Sequence, residues 1–134
     1  MNNEKDNVYD LVEDFYAHDE GWNTLLRQEY AEGFLRMEAW KGKKNSDLYR
    51  SWDNLTMLCL YLGSAETFLG DMNADDFIDC IAWCGRNISE FTPDYKNTQD
   101  FLETCDGLFK YLKGKNAISN DTVPGTAAEI LLQE

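Results

Sequence analysis

From Trp52 to Ser119 the apolar residues recur at intervals of three and four, and nowhere in that stretch do they alternate long enough to suggest paired strands. A chain patterned this way buries stripes, so its route to a core is helix packed on helix. Leu48, Trp52, Leu55, Cys59 and Leu62 make one stripe, predicting a helix over 46–62 with Gly63 as its stop. Asn73 is placed to cap the next helix, with Asp75 and Asp76 near the positive end of its dipole. Phe77, Ile78, Ile81 and Cys84 continue that helix to Gly85. Thr92-Pro93-Asp94 then puts a capping side chain, a first-position proline and an acidic residue in helix-opening order. The face that follows is Thr98, Phe101, Leu102, Cys105, Leu108, Phe109 and Leu112.

The flanks carry the same period. Val8, Leu11, Val12, Phe15 and Tyr16 predict a first helix ended by Gly21. A second starts near Asn23 or Thr24, places Leu26, Tyr30, Phe34, Met37 and Trp40 on one side, and stops at Lys41-Gly42. Its interior Gly33 is about 1 kcal/mol worse than alanine there, which points to a neighbouring helix crossing closely. After a loop over 116–125, residues 126–132 suit a short terminal helix. The expected architecture is all-α: a compact bundle of about five main helices plus a short C-terminal helix, in a single domain. Within it, 1–45 hold the N-terminal helices, 46–119 the central unit and 120–134 the tail.

Charge narrows the function. Twelve basic against 25 acidic residues leave a net charge of -13, which repels polyanions and disfavours a nucleic-acid partner. With 43% hydrophobic residues the chain has ample core material and is not an acidic disordered solubiliser. Residues 1–20 are too charged for a signal or transit peptide, and no run approaches the roughly 20 apolar residues of a membrane span. Cys59, Cys80, Cys84 and Cys105 then read as reduced core thiols in a cytoplasmic protein, and the sequons at Asn54, Asn87 and Asn120 as chance matches. Acidic residues crowd two zones, one at Glu4, Asp6, Asp10, Glu13, Asp14, Asp19 and Glu20, the other at Glu66, Asp71, Asp75, Asp76 and Asp79. Two lysine islands oppose them: Lys41, Lys43 and Lys44, and Lys110, Lys113 and Lys115, both at expected helix C-termini.

Candidate chemistry is sparse. Cys80 and Cys84 are one helical turn apart, but a structural zinc site needs about four ligands and no second pair completes it. Asp71-x-Asn73-x-Asp75 copies the start of a calcium loop, yet Asp76 stands where the turn glycine belongs and Ala82 where the bidentate glutamate belongs. A helix cap is the simpler reading. Adjacent carboxylates such as Glu13 and Asp14 diverge by about 100° on a helix and make no catalytic pair. The one histidine, His18, has no Glu-x-x-His partner for a di-iron bundle. No catalytic, metal or cofactor residue is therefore assigned, and an enzyme is not expected.

The run Phe77-x3-Ile81-x-Trp83, a polar turn, then Lys96-x4-Phe101-Leu102-x6-Phe109-Lys110-Tyr111-Leu112-Lys113-x4-Ile118-Ser119 is similar to the SAM-like helical core-binding domain of tyrosine recombinases and phage integrases. The segment Trp52 to Leu69 resembles the preceding helix of that unit, so the resemblance covers about half the chain. It implies a SAM-like, integrase N-terminal-like helical fold and a basic face that clamps duplex DNA. The recombinase catalytic residues carry over to no position here. His18 stands in His18-Asp19-Glu20-Gly21, without the His-x-x-Arg pattern.

The expected function is a non-catalytic protein-interaction or regulatory module, partnered by another protein or a second copy of itself. Ala127, Ile130 and Leu131, a narrow apolar stripe in the tail, are the candidate partner-binding residues. The alternatives are a recombinase-like module contacting nucleic acid through Lys41, Lys43, Lys44, Lys110, Lys113 and Lys115, and an acidic DNA mimic that occupies a basic protein.

Overall fold

The stripe on residues 98–112 becomes the buried face of the most central helix. In a computed structural model, which describes residues 7–133, Thr98, Phe101, Leu102, Cys105, Leu108, Phe109 and Leu112 are all buried. Each fully buried leucine or phenylalanine among them contributes about 1.5–3 kcal/mol relative to exposure. The helices are α1 (Val8–His18), α2 (Gln28–Trp40), α3 (Asn45–Ala65), α4 (Ala74–Asn87), α5 (Tyr95–Gly114) and α6 (Val123–Leu131). Short 3-10 turns occupy Glu20–Thr24 and Leu69–Asp71, and no strand occurs among the described residues. One continuous core runs through all six helices, from Val8 to Ala127.

The two longest helices form its centre. On α3 the stripe Leu48, Trp52, Leu55, Cys59 and Leu62 is buried, and Asn54, also buried, bridges to α5. Its amide donates to Thr104 Oγ1 at 2.9 Å and to Asp100 Oδ2 at 3.1 Å, which satisfies a polar group that burial would otherwise leave costly. Helix α2 packs on both and runs antiparallel to α5, since Gly33 lies against Tyr111 whereas Glu38, further on, lies against Gly107. Gly33 is the close crossing point expected from its position: a Cβ there would fall on the Tyr111 hydroxyl. Helix α1 covers α2 and α3, and Tyr16 donates its hydroxyl to the Leu26 carbonyl. Helix α6 lies across α4 and α5.

The helix ends differ from expectation in ways that trace to local chemistry. Gly63 does not stop α3, which continues to Ala65 and ends at Glu66 in a left-handed conformation (φ 57°). A glycine inside a helix costs only about 1 kcal/mol, and the exposed turn over 63–65 is closed by the Glu66 and Thr67 amides, which both donate to the Leu62 carbonyl. Helix α2 starts at Gln28, not near Asn23; residues 20–24 close a 3-10 turn, and the Asn23 side chain instead accepts from Gln28 N at 2.8 Å. The cap of α5 is Asp94, which accepts from Asn97 N at 2.8 Å, so Thr92 and Pro93 lie before the helix. Pro93 packs on Gly85 and closes the α4–α5 corner. The terminal helix begins at Val123 and takes Pro124 into its first turn, where no backbone N–H is needed, so Gly125 is helical. Asn73 caps α4 as expected, in a reciprocal box with Asp76 at 2.9 Å in both directions.

Two side chains expected inward face out. Leu11 is partly exposed on α1, and Trp40, the last residue of α2, is 87% exposed. The buried positions of α2 are Ala31, Phe34 and Leu35, and Trp40 lies about 120–140° round the helix from the latter two. No described residue of α1 reaches it either, because α1 begins beside Arg36, whose guanidinium sits 4.1 Å over the Tyr9 ring one turn earlier.

Candidate interaction surfaces

A second stripe on α3, Arg50, Asp53, Met57 and Leu60, is spaced by three, four and three and therefore faces one way. It forms one wall of a groove of about 400 Å³, whose other wall comes from Ile88, Glu90 and Phe91 in the α4–α5 connection and from Asp100. Met57, Leu60, Ile88 and Phe91 make an apolar floor, and Asp53, Glu90 and Asp100 outnumber Arg50 at the rim. Asp100 is held by the Asn54 bridge. Arg50, Asp53 and Glu90 have no side-chain hydrogen bond or ion pair among the described residues. Desolvation lifts the Asp53 carboxyl above its ordinary value even though part of the side chain reaches solvent. An unpaired, partly desolvated carboxylate is stabilised by any cation that enters.

At its Arg50 end the groove continues into a smaller polar pit lined by Lys43, Glu38, Asp47 and Glu103, with Arg50 and Asp100 common to both. Ser51 Oγ donates to Glu38 Oε1 there at 2.9 Å. The pit leads to the α2–α3 corner, Trp40-Lys41-Gly42-Lys43-Lys44, where Gly42 takes φ 104°, strained for any side chain. Gly42 N donates to Ala39 O and Lys43 N to Glu38 O, the paired bonds that end a helix with a left-handed glycine. Trp40, Lys41, Lys43 and Lys44 are all exposed on this corner.

The fold does not bring the two lysine islands together. Lys43 lies by Glu103 and Thr104, roughly 15 Å along α5 from Lys113. In the second island Lys110 is paired with Asp106 at 2.8 Å, Lys113 lies 3.8 Å from Asp121, and Lys115 sits over the Tyr111 ring. The tail stripe is divided: Ala127 is wholly buried against the chain's own bundle, Leu131 is half-buried on the core, and Ile130 is 52% exposed. Of the acidic zones, Asp10, Glu13, Asp14, Asp19, Glu20, Glu66, Asp71, Asp75 and Asp79 are exposed, Asp76 is half-buried, and Glu4 and Asp6 lie outside the described residues.

His18 is exposed at the end of α1, its Nδ1 3.0 Å from the Asp14 carbonyl, whereas all four cysteines are free and buried in the core. A hydrogen bond to Cys84 and burial both push the Cys80 thiol up, and burial pushes Cys59 up to about 12. No group of three or more His, Cys, Asp or Glu is arranged to hold a metal ion among the described residues. None of their helices is long and apolar enough to cross a membrane. Sequence reasoning missed the groove. Its signal was present in Met57 and Leu60, two apolar residues at helical spacing that fall off the core stripe of α3. Compared with family models, curated proteins and solved structures, the chain matches none.

Proposed function

We propose that this protein is a non-catalytic interaction module whose α3/α4–α5 groove receives a basic, partly apolar segment of a protein partner. The observation that carries the reading is the groove itself: an apolar floor under carboxylates that lack partners within the described chain. A lysine or arginine with an apolar neighbour satisfies both parts, since the floor takes the hydrocarbon and Asp53 and Glu90 take the charge. An interaction role accords with the exposure of His18 and the burial of all four thiols. A cytoplasmic setting accords with four free thiols. We read α3 to α5 as a SAM-like unit that keeps the helical packing of the recombinase domain without its DNA clamp. The separation of the lysine islands and the pairing of Lys110 and Lys113 support that division.

The test is co-purification from the native host with wild type, Leu60→Arg and Ile130→Arg, the latter two changing exposed side chains on different faces. A basic partner retained by wild type and Ile130→Arg and lost by Leu60→Arg is the expected result. An identical set of captured proteins for all three overturns the groove reading. A partner held equally by all three and displaced by duplex DNA would instead make the chain an acidic DNA mimic. Direct binding of duplex DNA at physiological salt, lost on Lys43→Glu, would favour the recombinase-like alternative.

A further inference from the structure

Two surface features remain without an occupant: a groove that calls for a basic, partly apolar guest, and a corner that has that chemistry. Trp40 presents nearly its whole side chain to solvent. Tryptophan is among the residue types most enriched as anchors of protein interfaces. Around it stand Lys41, Lys43 and Lys44, none of them in an ion pair among the described residues. We infer that the groove's guest is the Trp40-Lys44 corner of a second copy of this chain. This rests on the reading of the groove as a docking site and adds the identity of what docks.

Size, charge and placement each support it. At about 400 Å³ the groove is near the lower end of the roughly 300–1,000 Å³ that accepts a small organic group, which an indole is. With the indole on Met57, Leu60 and Phe91, the lysines that follow it in sequence reach the rim held by Asp53, Glu90 and Asp100. The net charge of -13 on each copy opposes association. That repulsion is spread over the surface and is screened beyond about 8 Å at physiological salt, whereas the lysine–carboxylate pairs are in contact. Placement favours closure. Arg50 and Asp100 line both the groove and the pit that leads to Lys43, so donor corner and acceptor groove adjoin on one side of the molecule. A two-fold axis can then seat both corners at once, making a closed dimer and not an open chain.

The 134-residue chain is subjected to sedimentation equilibrium up to millimolar concentration, as wild type, Trp40→Ala, Leu60→Arg, and an equimolar mixture of the two variants. Both substitutions are at exposed positions, and circular dichroism confirms that each variant keeps its fold. Wild type is expected to dimerise, with the dissociation constant raised about a hundredfold by either change, since each removes both symmetry-related anchors at roughly tenfold apiece. The mixture is expected to associate more tightly than either variant alone, because the intact groove of Trp40→Ala meets the intact corner of Leu60→Arg. A wild type that stays monomeric overturns the inference. So does a dimer indifferent to Trp40→Ala, a mixture no tighter than its components, or an open series of oligomers. If self-association fails while capture of a basic partner still depends on Leu60, the docking reading stands and only the identity of the guest is wrong. If neither depends on Leu60, both readings fail.

Discussion

Gly33→Ala tests the tightest helix crossing through the sign of its effect. In an unobstructed helix interior, replacing glycine by alanine stabilises by about 1 kcal/mol, because glycine loses more backbone freedom on folding. At Gly33 the added methyl would land on the Tyr111 hydroxyl, with the ring carbon Cζ only 2.9 Å away. To swing clear, the half-buried Tyr111 must give up its edge contact with Phe34 and its place under the Lys115 ammonium. Overpacking of this kind costs about 1–3 kcal/mol, so in wild type the overpacking wins and the expected net loss is about 1 kcal/mol. Tyr111→Ala removes the obstruction, and in that background the same substitution should stabilise by up to about 1 kcal/mol. The coupling between the two sites is then about 2 kcal/mol, well above the roughly 0.5 kcal/mol within which independent sites add. Urea unfolding of the four proteins of the cycle measures it. Stabilisation by Gly33→Ala in wild type, or equal effects in both backgrounds, would refute the claim that Tyr111 closes on Gly33.

Three further outcomes are expected. Leu102→Ala, at a position 2% exposed on the core face of α5, should cost about 2–5 kcal/mol in urea unfolding through lost burial and a residual cavity; a loss under about 0.5 kcal/mol would remove Leu102 from the core. The buried Cys59 thiol, held protonated to about 12 against an ordinary 9.0, should contribute stability that is full below pH 9 and lost as pH rises through 12. Cys59→Ala should therefore flatten the alkaline fall of the denaturation midpoint, and an unchanged profile would count against it. Deleting residues 124–134 removes α6 from α4 and α5 and should lower the melting temperature of the protein at fixed concentration, with the buried Ala127 site opened; a truncated chain as stable as the whole would show that α6 is dispensable to the fold.

What the sequence determined by itself is what adjacent residues decide. The face of α5 from Thr98 to Leu112 and that of α3 from Leu48 to Leu62 follow from a 3.6-residue period, which holds whatever the neighbours are. The reciprocal cap of Asn73 and Asp76 is equally local, closed between residues three apart. Gly33 marked a close crossing for a related reason, because a helix tolerates its cost only where something needs the space, but the sequence did not say that Tyr111 would fill it. The fate of Trp40 was only partly legible, since the 100° step already sets it about 120° round α2 from Phe34. A helical period orders residues around an axis without saying how far along that axis the neighbours extend, and α1 begins one turn short of it. Gly63 and Pro124 misled about helix ends because a glycine's cost of about 1 kcal/mol is too small to stop a long helix, and a proline costs nothing in a first turn that needs no backbone N–H. The groove depended on tertiary structure most of all. Met57 and Leu60 lie on α3, Phe91 in a connection some thirty residues later, and Asp100 on α5, where Asn54 reaches across to hold it. Their joining into one apolar floor under unpaired carboxylates is a property of how three elements pack, and no spacing within any one of them encodes it.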